Sequence, residues 1–191
     1  MTQTATLTRA EALRAATHDA HERLDRTIMA AKPFDSVENY GRFAAMQYSL
    51  HHHTAPLYAR ADLADHIADL PALSRFSAVT QDLADLGVAL PDPGAPVGDL
   101  PLPEALGWLY VIEGSNLGAA FLLKAAQKLG LSEDHGARHL AGAPEGRAAH
   151  WRAFKAGLDG APLAPEDEAR VIAGAVAAFD HARGLAQRCF A

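Results

Sequence analysis

A histidine occupies a position where a helix would ordinarily carry leucine. Leu13, Thr17, His21, Leu24 and Ile28 follow at steps of three and four residues, which is one face of an α-helix, with His21 in its middle. Burying an imidazole there without a partner costs ~1–3 kcal/mol. Asp25 comes one turn later, about 40° round the helix, close to the same face. An imidazole held at one ring nitrogen by a carboxylate and free at the other is the usual arrangement of a metal-bound histidine. A core histidine satisfied by Asp25 or a backbone carbonyl has the same signature. On this segment alone both readings stand.

The second informative segment is Tyr110–Phe121. Gly114 and Gly118 fall inside a helical pattern, where each costs about 1 kcal/mol relative to alanine. Four residues apart, they share a face, and Ser115 and Ala119 widen it into a strip of small residues. Either another helix crosses closely here, or a flat ligand lies against the helix, helped by a bend that the glycines permit. Taken together, a histidine on one helix and a bare surface on another can sandwich a planar metal complex. The metal is then held from the His21 side, with the opposite position open to a small molecule. Haem is the natural candidate.

The elements that must position these residues are helical almost throughout. Thr8 and Glu11 form a capping box opening a helix to about Ala31, stopped before Pro33. Ser36 caps a second, with Tyr40, Phe43, Gln47, Leu50, Thr54 and Leu57 inward and a bend or early end at Pro56. A third follows Pro71, burying Leu73, Phe76, Val79, Leu83 and Leu86 and ending at Gly87. Residues 87–103, with Pro91, Pro93, Pro96, Pro101 and Pro103, form a loop too short to link separate cores. A fourth helix runs from Pro103 to Gly130. A fifth covers roughly 145–157, with Trp151, Phe154 and Leu158 inward. The last opens at Pro165 with acids in its first turn and turns Ile172, Val176 and Phe179 inward. The pattern predicts one all-α, multi-helix domain spanning 1–191, with Met1–Leu7 a flexible N-terminus.

The chain has 191 residues, enough for one domain with a sizeable core. A formal net charge of −6 argues against a nucleic-acid partner, which calls for a basic face. The single cysteine, Cys189, excludes an internal disulfide and fits a reducing, cytoplasmic setting. No run of ~18 uninterrupted apolar residues suggests a membrane span. The ten histidines include His51, His52 and His53, whose rings point about 100° apart on a helix and cannot converge on one ion. They read as packed rings, one of them exposed.

The residues resemble the haem oxygenase family, in its bacterial biliverdin-producing branch. Leu13–Asp25 is similar to the family's proximal helix, which maps the iron ligand onto His21 and the orienting acid onto Asp25. Gly114-Ser115-Asn116-Leu117-Gly118-Ala119 is similar to the distal helix that bends over the haem, and Leu122–Lys128 also fits the family pattern. By the same resemblance Arg14 and Tyr110 match propionate partners, Arg152 a basic position facing the haem edge, and His18 a rim position. Arg14 with Tyr110 resembles the arrangement that favours cleavage at the α-meso carbon. Two departures stand out: Ser115 replaces an aspartate that orders distal water in many members, and Ala119 replaces the second glycine of the usual pair, adding a methyl near the haem face.

The resemblance implies a bundle holding haem between proximal and kinked distal helices, with Gly114, Ser115 and Gly118 at the reacting face. Haem is both cofactor and substrate, opened by dioxygen to biliverdin, CO and iron. The sequence contains no dinucleotide fingerprint, so electrons come from a separate ferredoxin or flavoprotein reductase, and the biliverdin could supply a phytochrome. A haem-delivery protein of the same fold is the alternative. A di-iron carboxylate bundle needs Glu-x-x-His pairs, which are absent, and a thiaminase-like enzyme needs a better placed thiol than Cys189.

Overall fold

The computed structural model describes residues 7–190. Its helices are α1 (Arg9–Ala30), α2 (Val37–Tyr58), α3 (Ala61–Ala64), α4 (Leu70–Leu73), α5 (Phe76–Asp85), α6 (Leu102–Gln127), α7 (Arg147–Gly160) and α8 (Glu168–Phe190). Single 3-10 turns sit at Arg138–Leu140 and Pro165–Asp167, and no strand occurs among the described residues. Of the expected N-terminal arm, Met1–Thr6 lies outside the described residues, and Leu7 is exposed.

Local chemistry sets most helix ends. The Thr8 hydroxyl accepts from the Glu11 amide and the Glu11 carboxylate accepts from the Thr8 amide at 2.9 Å, completing the capping box. Ser36 accepts from the Asn39 amide at 3.1 Å. Pro56 falls in the last turn of α2, which ends at Tyr58. The single helix expected after Pro71 is instead two, because Ser74 is extended between α4 and α5. Gly87 then closes α5 with φ +65°. Its amide reaches the Ala84 carbonyl and the Val88 amide reaches Leu83, the paired bonds that satisfy a helix C-terminus.

Helix α8 is the central strut, with α1, α2 and α6 all packed against it. Its inward residues are Val171, Gly174, Ala175, Ala178, Phe179, Ala182, Leu185 and Ala186. The expected face of Ile172 and Val176 is thus out of phase by one residue, since the small residues are the ones that face α6. At the crossing a Cβ on Gly107 would strike the Val171 carbonyl and the Ala175 amide, and one on Gly174 would strike Glu104 backbone. The close helix crossing lies here rather than at Gly114 and Gly118. By length and a mean hydropathy of 1.3, α6 could cross a membrane, although no uninterrupted apolar run suggests it. More than half of that window is buried inside the fold, as in a core helix.

Arg9, its side chain only 8% exposed, fixes the start of α1. It donates to Glu168 at the start of α8 and to the carbonyls of Leu158 and Ala161 at the end of α7. Asp82, fully buried, ties α5 to the Arg138–Leu140 turn, accepting from the Arg138 and His139 amides at 2.9 Å and from the His139 ring at 2.7 Å. Burial pushes its carboxyl pKa up, but these bonds outweigh it and leave the pKa below the ordinary value. A lowered folded-state pKa stabilises above the unfolded value near ~4 and is lost as pH falls through the folded one. Denaturant titrations should therefore find Asp82→Asn about 2–3 kcal/mol less stable at pH 7, with the gap closing only below the unfolded carboxyl value of ~4. Gly107→Ala should cost about 1–3 kcal/mol through overpacking, read as a lower urea midpoint.

Candidate functional site

The face of α1 leaves the core partway along its length. Leu13 and Thr17 are buried, the Thr17 hydroxyl donating to the Leu13 carbonyl at 2.8 Å. One turn on, the His21 side chain is 60% exposed. This corrects the expectation of a buried imidazole: the ring continues the apolar stripe but stands open to solvent. Its Nδ1 lies 3.5 Å from Asp25, and its edge rests on Phe179 of α8, ring centroids 5.8 Å apart at 81°. Phe179 and Asp25 thus limit the ring's rotation, and no hydrogen bond engages Nε2 among the described residues. This is the donor set of a histidine that binds metal through Nε2.

Helix α6 supplies the other wall. It runs unbroken through Gly114 and Gly118. A Cβ at Gly118 would meet nothing within 4 Å, and one at Gly114 would meet only the Trp151 ring at 3.5 Å. The glycine face is therefore open, and Leu117 and Phe121 beside it are the exposed large apolar residues of this helix, Phe121 at 78%. Ser115 is exposed, but its hydroxyl donates to the Ile112 carbonyl at 2.7 Å. Ala119 is buried at 4%. The strip of small residues does not include it: at about 100° per residue, Ala119 turns from Gly118 into the core, so its methyl is not on the cleft face.

The two walls are held apart by shared supports, since α1 and α6 each pack on α8 and α7. At one edge Arg14 of α1 is close enough to Tyr110 of α6 for its charge to act on the phenol. Burial raises the Tyr110 pKa and Arg14 draws it back. The Tyr110 ring packs on Trp151, centroids 5.5 Å apart. Exposed Arg14 and His18 line an open groove with Glu11 and Ala15, and His18 lies 3.3 Å from Glu22. Arg152 is exposed on α7, next to the inward-turned Trp151.

The histidines at 51–53 pack inside the fold. His51 and His53 are buried and His52 is half-buried, rather than one being exposed. Burial, then the His139 and Arg75 charges, pulls His51 down to about 3. His53 joins His181 of α8 at 2.7 Å and the Pro93 carbonyl of the proline-rich loop. Among the described residues no cluster of three or more metal-ligating side chains occurs. Phe179 and Trp151 were legible only as inward residues, but the exposure of Leu117 and Phe121 had a signal in their spacing from the two glycines.

Known proteins resemble this chain in sequence and fold. The Heme oxygenase family model matches residues 7–188. Heme oxygenase PigA of Pseudomonas aeruginosa is 44% identical over 185 residues, covering 96% of this chain and 93% of that protein. The NO- and CO-bound haem oxygenase of Neisseria meningitidis superposes with a TM-score of 0.88 at 44% identity, covering 97% of this chain and 93% of that one. The cyanobacterial Synechocystis haem oxygenase-1, in complex with haem, shares the fold at a TM-score of 0.75 and 16% identity, covering 95% and 92%. With one family model matching nearly the whole of the described fold, the chain belongs to the haem oxygenase family.

Proposed function

We propose that this chain binds haem in the cleft between α1 and α6, with His21 as its iron ligand, and opens the ring with dioxygen to biliverdin, CO and iron. The observation that carries this reading is the exposed His21 ring, beside Asp25 and Phe179, on a helix that shares its supports α7 and α8 with the open glycine face of α6. The haem supplies both the iron and the carbon bridge that is oxidised. Electrons come from an external ferredoxin or flavoprotein reductase, and a cytoplasmic setting suits that partner. Supply of biliverdin to a phytochrome is one outlet.

The chain's own groups divide the work by position. His21 would hold the iron through Nε2, with Asp25, 3.5 Å from Nδ1, orienting the ring. Gly114 and Gly118 present no side chain to the flat face of the ligand. The Ser115 hydroxyl, bonded to Ile112, offers no carboxylate to the distal side. Among the described residues Gly114 and Gly118 leave this face bare, so it would offer no large polar group to assist the O–O cleavage of peroxidase chemistry. Leu117 and Phe121 dry the site. Arg14 and Tyr110 hold propionates at the mouth through charge-assisted bonds, with Arg152 and His18 at the rim, and this seating directs attack to the α-meso carbon.

One equivalent of hemin should give a shifted Soret band that a reductant in air converts to a biliverdin spectrum, while His21→Ala converts none. A stable Soret band in the unaltered protein would instead mark a carrier. Asp25→Asn should weaken haem binding about 10–100-fold. Arg14→Leu, which removes a charge-assisted bond of ~1.5–3 kcal/mol, should weaken it by a similar factor and spread the product over several biliverdin isomers on chromatography.

A further inference from the structure

The glycine face of α6 has no side chains with which to anchor itself, so its distance from the ligand must be fixed from behind. Glu113 directly precedes Gly114, about 100° round the helix from it, and its side chain is fully buried. An isolated carboxylate in that position costs several kcal/mol, yet this one has three donors on three elements. The Tyr58 hydroxyl of α2 donates to Oε1 at 2.6 Å, the His150 ring of α7 bonds Oε2 at 2.8 Å, and the Asn116 side-chain amide of α6 donates to Oε2 at 3.2 Å. Asn116 is pinned as well. Its carbonyl accepts from Arg147 at 2.7 Å, and Arg147 also holds the Leu140 carbonyl. The anchored residues 113 and 116 bracket Gly114 and Ser115.

Stability alone does not require this arrangement, because well-packed apolar residues serve a core at least as well as a buried ion pair. What a carboxylate with directional donors adds is position. We propose that Glu113 is the positioning residue of the distal helix: by fixing α6 to Tyr58 and His150 it sets the height of Gly114–Gly118 over the haem face, and so the geometry of the open coordination position. The inference rests on the haem-cleaving function proposed above. Glu113 itself lies behind the helix and touches neither ligand nor oxygen. The supporting electrostatics run the same way. The hydrogen bond to Glu113 raises the His150 pKa against burial, and burial together with Glu113 keeps the Tyr58 phenol protonated as a donor.

The test compares Glu113→Gln, Tyr58→Phe and the conservative Glu113→Asp with the unaltered protein, each loaded with hemin, reduced and exposed to CO. The glutamine amide turns a donor toward the donors of Tyr58 and His150 and so releases one of them. Hemin affinity, set from the His21 side, should stay within about 3-fold, a change of under ~0.7 kcal/mol. The C–O stretching band should shift or split into several conformers, and kcat should fall about 10–100-fold, the scale of a misplacement near 1 Å. Tyr58→Phe removes a single donor and should move both readouts in the same direction by less, which keeps the test available if Glu113→Gln folds poorly. Glu113→Asp should recover part of the C–O band. Variants that lose thermal stability but keep the C–O band and kcat would overturn the proposal and leave Glu113 a stabilising residue only. Failure of the unaltered protein to degrade haem would count against the underlying function instead.

Discussion

The contact on which the site depends is the backbone-to-backbone approach of α6 and α8 at Gly107 and Gly174. Neither position has room for a Cβ, so the two helices meet more closely than side chains would allow. The alanines of α8 extend that economy along its length, with Ala175, Ala178, Ala182 and Ala186 all buried. Because α1 packs on the same helix, α8 sets the spacing between the histidine wall and the glycine wall. It also supplies Phe179 directly beneath His21. The width of the cleft is thus a consequence of packing well away from it, with Arg9 locking the starts of α1 and α8 to the end of α7.

What the sequence made legible follows from the range of each interaction. The Thr8–Glu11 box, the Ser36 cap and the Gly87 stop are local, and each appears where the residues imply. The failures share one cause. A hydrophobic stripe reports which side of a helix avoids water, not whether the covering surface is protein or ligand, so His21 read as buried. On α8 the large residues Ile172 and Val176 drew the inward face one position away from the small ones that make the contact. Helix α6 is apolar nearly all round, so its period could not separate Gly118 on the cleft from Ala119 in the core. Tyr58, Glu113 and His150 are polar residues scattered along the chain, and nothing local marks them as partners.

The histidines show how context overrides count. His139 is bonded to buried Asp82, His150 to buried Glu113, and His53 to His181 and the Pro93 carbonyl. Each joins elements that are distant in sequence. His21 differs from these three in having an exposed ring, with Asp25 3.5 Å from its Nδ1.

The two walls of the cleft are also built differently, and the difference suits their tasks. On the histidine side the ring and Asp25 are both more than half exposed, and a bond to iron can itself complete their order. The glycine side makes no comparable bond to its ligand, so nothing about binding would correct a misplaced helix. Its order has to be present beforehand, and buried, directional hydrogen bonds can supply it. The dense polar anchoring behind α6 and the loose fit around His21 are therefore two answers to one question: whether the ligand or the fold determines where a wall stands.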